Sequence, residues 1–440
     1  MQDNEKRFES DIEAFLISPE GGWDKTSDAG YCASKGSGMA LDLSTLIGFI
    51  KETQPVAWQR FEKQCNSDPE KKFYRAFENA VENDGLISVL RHGFKHRGIE
   101  FRVCYFKPES TLNDLAVKHY GQNICQCIRQ WHYSEQNNNS VDMMLAVNGI
   151  PVVAIELKNQ LTGQSIDNAK RQWMFDRDPK EPAFRLNHRI LVFFAVDLYE
   201  AVMTTKLNGA KTFFFPFNQG SNGPGNDGGA GNPETKDGDY VTSYLWKDVL
   251  QKDSLLDILK KFVNFEVKKE KTVLEDGTYK EVTKKSLIFP RYHQMDAVRK
   301  LVKDVREHGP GKNYLIQHSA GSGKSNSIAW TAYRLASLHN DKNEPVFTSV
   351  VIVTDRTVLD QQLQDTISGF DHTLGSVVTI DEKKNSKDLR DALNDGKRII
   401  VTTLQKFPVI YEEVNDTTGK AFAVIVDEAH SSQTGQSAMK

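Results

Sequence analysis

Two stretches of this 440-residue chain carry residues that could do chemistry on phosphates. The first is Asp142, followed by residues 143–155 and then Glu156-Leu157-Lys158. Glu156 and Lys158 are two apart, so on a strand they share one face, while Ile155 and Leu157 point into the core. Two carboxylates on that face could hold a divalent cation through oxygen. The cation would polarise a phosphate and lower the pKa of a bound water. Lys158 would position that water or stabilise the charge on the phosphorane. The second stretch is Asn313-Tyr-Leu-Ile-Gln-His-Ser-Ala-Gly-Ser-Gly-Lys-Ser325. Gly321, Ser322 and Gly323 form a glycine loop whose backbone N–H groups could close around phosphate oxygens. The helix that follows offers unpaired N–H groups and a positive dipole end to the same anion. Lys324 would reach the β- and γ-phosphates of ATP, and Ser325 would hold Mg²⁺.

A partner for the second stretch lies downstream in Ala423-Val-Ile-Val-Asp-Glu-Ala-His430. Asp427, at the carboxyl end of an apolar strand, would bind Mg²⁺ through water. Glu428 would orient the water that attacks the γ-phosphate. His430 would sense that phosphate or couple to a second lobe. Gln294, in Phe289-Pro-Arg-Tyr-His-Gln294, could bond N6 and N7 of adenine, and Phe289 or Tyr292 could stack on the ring.

The elements that position these residues differ between the halves. Asn148-Gly149 separates two apolar runs, 141–147 and 150–158, which is a strong hairpin signal. A plain two-residue loop would oppose Val147 to Ile150, and hence Asp142 to Ile155, on the face away from Glu156. A shared metal therefore requires an odd correction. It could be a three-residue loop with Gly149 left-handed, or a bulge between Met143 and Val147 or near Pro151, which lacks an N–H. Around this hairpin, helical spacing is expected near 8–20, 41–64, 68–90 and 111–120, and a strand at 99–106. Gly220–Gly238 is a Gly/Asn/Asp-rich loop or junction, and a charged segment runs to Lys285. In the second half, apolar runs at 314–316, 349–354, 399–403 and 423–426 alternate with helical patterns, which predicts a parallel doubly wound sheet.

Composition describes an ordinary globular protein: 39% hydrophobic, 26% charged, net charge −3. No apolar run approaches the ~20 residues of a membrane span, and the N-terminus does not read as a signal peptide. Five cysteines without a framework or zinc spacing read as reduced thiols in the cytoplasm. Binding to DNA would rest on local basic patches, such as Lys268, Lys269 and Lys271 or Lys284-Lys285, since the overall charge does not favour it.

Taken together these stretches resemble the R (restriction and translocation) subunit of type I restriction-modification enzymes. The resemblance rests on the Asp142…Glu156-Leu-Lys158 hairpin, Asp176-Arg-Asp-Pro-Lys-Glu-Pro182, Phe289–Gln294, His318–Ser325, Asp355-Arg356 and Asp427-Glu-Ala-His430. That family also places His where the general phosphate-binding loop has its first Gly, here His318. It implies an α/β fold: a PD-(D/E)xK endonuclease domain with a mixed sheet over 1–255, then a linker and the first RecA-like lobe of a superfamily 2 motor over 256–440. It implies Asp142, Glu156 and Lys158 as the nuclease centre, with Glu9 on the first helix and Gln172 in support. Relatives often carry Tyr after that Gln, where this chain has Trp173. The implied activity is Mg²⁺-dependent cleavage of double-stranded DNA coupled to ATP-driven translocation. The implied partners are modification (methyltransferase) and specificity subunits.

The family's second lobe, which supplies an arginine to the γ-phosphate, has no counterpart here. The chain thus reads as the N-terminal part of a larger protein or a truncated product, expected to bind ATP·Mg²⁺ and hydrolyse it slowly. The competing readings are a stand-alone phage-defence helicase–nuclease and an inactive nucleotide- and DNA-binding remnant.

Overall fold

The computed structural model describes residues 2–31, 39–109, 112–235, 238–273, 279–319, 321–354, 363, 366–367, 377–380, 386–403 and 419–428. The chain divides into two compact units, Met1–Tyr292 and His293–Lys440.

The first unit opens with helix α1 (Gln2–Leu16), strand β1 (Asp24–Thr26) and the short helix α2 (Asp28–Tyr31). Helices α3 (Leu43–Thr53), α4 (Pro55–Gln64), α5 (Pro69–Asp84) and α6 (Leu86–His92) follow. Their starts follow local chemistry: Asp42 accepts from the Thr45 N–H, and Pro occupies the first turn of α4 and α5. Their aromatic faces meet the hairpin β2 (Phe94–His96) and β3 (Ile99–Phe101), where Phe61, Phe73, Phe94 and Phe101 pack edge to face or tilted. The strand expected over 99–106 ends at Phe101, beyond which the backbone leaves the ladder. Helix α7 (Asp114–Gly121) leads into β4 (Cys125–His132), β5 (Ser140–Val147) and β6 (Ile150–Leu157). Then come α8 (Ile166–Arg171), a π-helical turn at Gln172–Asp176, β7 (Val192–Val196), β8 (Ala201–Thr204) and β9 (Phe215–Pro216).

Strands β1-β4-β5-β6-β7-β8-β9 form one mixed sheet in that order. The β1–β4 and β6–β7 pairs are parallel and the rest antiparallel. Every residue of β6 and β7 is buried, which explains their near-continuous apolar runs. Cys65, Cys104, Cys125 and Cys127 are free thiols, and burial pushes Cys125 and Cys127 up to about 12. Helix α9 (Lys252–Lys261) and a long antiparallel hairpin, β10 (Asn264–Val273) with β11 (Tyr279–Ile288), also belong to this unit. The charged segment running to Lys285 is therefore regular: cross-strand backbone pairing forms a two-stranded ribbon whose described residues from Tyr279 to Lys285 are exposed.

The second unit holds α10 (Tyr292–His308), α11 (Lys324–Ala336), β12 (Ser349–Thr354), β13 (Val377–Thr379), α12 (Ser386–Asn394), β14 (Ile399–Thr403) and β15 (Phe422–Val426). Its sheet, β13-β14-β12-β15, is parallel throughout, as the alternation predicts. The strand expected at Tyr314–Ile316 is not formed. These residues are irregular and Leu315 is 85% exposed, while the Tyr314 hydroxyl bonds Asp304 on α10 instead. Three apolar residues after Gly309-Pro-Gly-Lys312 are too short a run to specify pairing alone. No helix among the described residues is long and apolar enough to cross a membrane.

Candidate functional site

The β5–β6 hairpin turns through Asn148 and Gly149, both at positive φ (52° and 79°), so the loop is a two-residue type I′ turn with Val147 opposite Ile150. The odd correction lies beyond it. Ala146 pairs with Pro151 but Leu145 pairs with Val153, which leaves Val152 as the extra residue of a bulge. Proline, which has no ladder donor, sits beside the break. From there Met144 faces Ala154 and Met143 faces Ile155, so the register brings Asp142 opposite Glu156. The Leu157 N–H donates to Asp142 Oδ2 at 2.7 Å, and Lys158 Nζ lies 3.9 Å from the same oxygen. The three residues therefore meet at one end of the hairpin.

Glu156 is fully buried, although it sits on the side of β6 that carries the charge. Its Oε1 accepts from Arg177 Nε at 3.0 Å and from Arg177 Nη2, while Oε2 is buried with no hydrogen-bond partner. Burial, then the neighbouring Asp142 charge, holds the Glu156 carboxyl well above the ordinary carboxylate range. Two adjacent carboxylates, one with an orphaned oxygen, fit a hard divalent cation. Among the described residues no set of three His, Cys, Asp or Glu side chains could hold a metal. Such an ion would accordingly complete its shell with water.

Glu9, on α1, reaches the same end of the sheet. Its Oε2 accepts from Arg129 Nη2 at 2.7 Å and Nε at 3.1 Å, and its Oε1 from Gln130 Nε2 at 3.0 Å. Gln130 Nε2 also lies 3.3 Å from Asp142 Oδ1, which links Glu9 to Asp142 through one amide. Burial raises the Glu9 pKa against the Arg129 hydrogen bond. Gln130 sits at φ 50°, where β4 leaves regular pairing between Arg129↔Met143 and Trp131↔Val141. Gln172 lies in the π-helical turn with its Oε1 buried and unpartnered. Trp173 beside it is fully buried and donates to the Phe194 carbonyl at 3.0 Å. Sequence reasoning missed Arg177, Gln130 and Arg129. Arg177 lay inside Asp176–Pro182, which carried part of the resemblance but no assigned role.

In the second unit Gly321 (φ 73°) and Gly323 (φ 85°) adopt the left-handed conformation that a tight phosphate-binding turn requires, and Gly323 caps α11. Helix α11 begins at Lys324 itself, so Lys324 and Ser325 occupy its first turn. Lys324 Nζ meets Glu428 Oε1 at 2.5 Å, and this bond, the largest influence, raises the lysine pKa. Asp427 and Glu428 follow β15, with Glu428 at φ 51° and its N–H donating to Asp427 Oδ1 at 2.9 Å. Burial raises the Asp427 pKa. Gln294 is buried and its amide donates to the Ser322 and Gly323 carbonyls at 3.1 and 3.0 Å, so in this structure it braces the loop. Phe289 and Tyr292, expected beside adenine, are buried in an aromatic cluster with Phe217 in the first unit. His430 and Asp355-Arg356 lie outside the described residues.

Residues 24–212 match the profile of the type I restriction enzyme R protein N terminus, and residues 293–440 match the SWI2/SNF2 ATPase profile. The chain matches the N-terminal portion of a type I restriction R subunit. It is 27% identical over 378 residues to the type I restriction enzyme HindI endonuclease subunit of Haemophilus influenzae, covering 81% of this chain and 32% of that protein. It is 23% identical over 351 residues to the putative type I restriction enzyme MjaVIIIP endonuclease subunit of Methanocaldococcus jannaschii, covering 73% and 30%. A similar subunit from Staphylococcus saprophyticus is 24% identical over 338 residues, covering 75% and 31%. The chain spans about a third of the length of these curated relatives. The stretch matched to the R-subunit profile includes Asp142, Glu156, Lys158 and Arg177, and the stretch matched to the ATPase profile includes Lys324 and Glu428.

Proposed function

We propose that this chain supplies the endonuclease centre and the first motor lobe of an ATP-dependent type I restriction enzyme, which cleaves double-stranded DNA. The observation that carries the reading is the Val152 bulge, which turns a hairpin of the wrong parity into one that brings Asp142 opposite Glu156 and beside Lys158. The first unit acts as a PD-(D/E)xK nuclease domain and the second as a RecA-like lobe. Asp142 and Glu156 would hold the cation, Mg²⁺ in the cell, which when bound would supply Lewis-acid polarisation of the scissile phosphate and activate a water. Lys158 orients that water and offsets charge on the phosphorane. Glu9 and Gln130 brace Asp142, and Gln172 turns an unpartnered oxygen toward a further contact.

In the second unit the Gly321–Gly323 backbone cradles ATP phosphates at the start of α11. Lys324 exchanges Glu428 for the β- and γ-phosphates, and Ser325 and Asp427 hold the nucleotide's Mg²⁺. Glu428, released from Lys324, orients the attacking water. Gln294 fixes the loop, and it would contact adenine only by leaving the two carbonyls it now bonds. Modification and specificity subunits provide sequence recognition.

The test uses the assembled enzyme. Asp142→Ala, Glu156→Ala and Lys158→Ala should each eliminate DNA cleavage and leave DNA-stimulated ATP hydrolysis intact. Cleavage that survives in Glu156→Ala refutes the nuclease assignment.

A further inference from the structure

Arg177 is 4% exposed and sits one residue beyond the π-helical turn, 21 positions after Glu156. Its Nε and Nη2 both address Glu156 Oε1, and Nη2 also donates to the Ser140 carbonyl at 2.6 Å. The guanidinium lies 5.5 Å from the Tyr133 ring centroid and 6.0 Å from that of Trp173, so two aromatic rings pack against it. An arginine that only neutralises a carboxylate favours the parallel fork, one nitrogen on each oxygen. Here both nitrogens converge on a single oxygen, and the other, Oε2, is left buried without a donor. A buried acceptor without a partner is costly unless something else satisfies it. Ser140 is two residues before Asp142 and Glu156 is on the adjacent strand, so one cation spans both ligand-bearing strands.

Building on the nuclease reading, we propose that Arg177 is the positioning residue of this centre: it fixes the Glu156 carboxylate with Oε1 engaged and Oε2 presented to the divalent cation. It also holds the start of β5 so that Asp142 faces that oxygen. Lysine can keep the charge but cannot place two fixed donors on Oε1 and reach the Ser140 carbonyl with the same planar group, and so cannot fix the carboxylate.

The experiment titrates Mn²⁺ alone into the metal-stripped 440-residue chain by calorimetry. The part of the binding that disappears in Glu156→Ala reports this centre. Arg177→Met should weaken that part about 10- to 100-fold, the usual effect of losing a group that orients a metal ligand. Arg177→Lys should recover only part of the loss, and ATP binding, a readout of the other unit, should not change in either variant. Folded Arg177→Met or Arg177→Lys protein with wild-type Mn²⁺ affinity overturns the proposal. Should Arg177→Met fail to fold, Arg177→Lys decides by the same criterion. If the wild-type chain shows no Glu156-dependent Mn²⁺ binding, the nuclease reading falls together with this one. If that binding is present but indifferent to Arg177, only the present proposal falls.

Discussion

The backbone N–H of Leu157 donates to Oδ2 of Asp142 at 2.7 Å across the β5–β6 hairpin. This bond lies where the ladder would otherwise continue, and it ties the Asp142 carboxylate to the strand that carries Glu156 and Lys158. It depends on the Val152 bulge further up the same pair of strands.

The tip of that hairpin should tolerate little. Gly149 is at φ 79°, and a Cβ there would come within 2.3 Å of the Asp42 carbonyl oxygen, which is backbone and cannot swing away. Its own carbonyl accepts from Tyr31 Oη and from the Asp42 N–H, both at 2.8 Å. Gly149→Ala is expected to cost about 2–4 kcal/mol, combining left-handed strain with the clash. Thermal unfolding followed by circular dichroism should show the first unit melting roughly 5 °C or more lower. An unchanged melting temperature would count against the described turn.

Glu156 predicts a pH signature. Its folded-state pKa is raised by burial and by Asp142, so its contribution to stability is present below the unfolded value and lost as pH rises through the folded one. In EDTA, Glu156→Gln should therefore gain stability relative to wild type as the pH is raised from 5 to 8. Added Mn²⁺ should stabilise wild type and not the variant. Paired melting curves at the two pH values check this, and a difference independent of pH would contradict the buried, like-charged environment.

Gln130 bridges Glu9 and Asp142 through one amide while its Oε1 accepts from Ser140 Oγ at 2.8 Å. Gln130→Ala should leave the Arg129–Glu9 pair intact and lower cleavage by the assembled enzyme about 10-fold or more, in keeping with loss of a bond that orients a metal ligand. Cleavage at the wild-type rate would place Gln130 outside the site.

Lys324 and Glu428 make the clearest prediction in the second unit. Lys324→Ala should weaken ATP binding about 10- to 100-fold, the worth of a charge-assisted hydrogen bond to phosphate. Glu428→Gln removes the carboxylate that holds Lys324 and should bind ATP at least as tightly as wild type, while hydrolysis by the assembled enzyme falls. Fluorescent-nucleotide titration separates the two, and weakened binding in Glu428→Gln would contradict an exchange of Glu428 for phosphate.

Features that depend on near neighbours were legible in the order of residues. Asn148-Gly149 marked the turn because few residue pairs accept two successive positive φ angles. The two-residue period put Glu156 and Lys158 on one face, and Gly321, Gly323 and Lys324 marked a loop capping a helix. Even the need for an odd correction could be counted from the alternation. Which residue supplied it could not, since bulge placement balances ladder hydrogen bonds against packing on both faces of a buried sheet. The ribbon of β10 and β11 was hidden for a related reason: its exposed residues mix charged side chains with Tyr279, Val282 and Thr283, and its regularity comes from cross-strand backbone bonds. Tertiary structure alone brought Arg177 to Glu156 and Glu9 on α1 to Arg129 on β4, 120 positions apart. Contacts of that reach leave no periodic trace in a chain, because they depend on where whole elements come to rest.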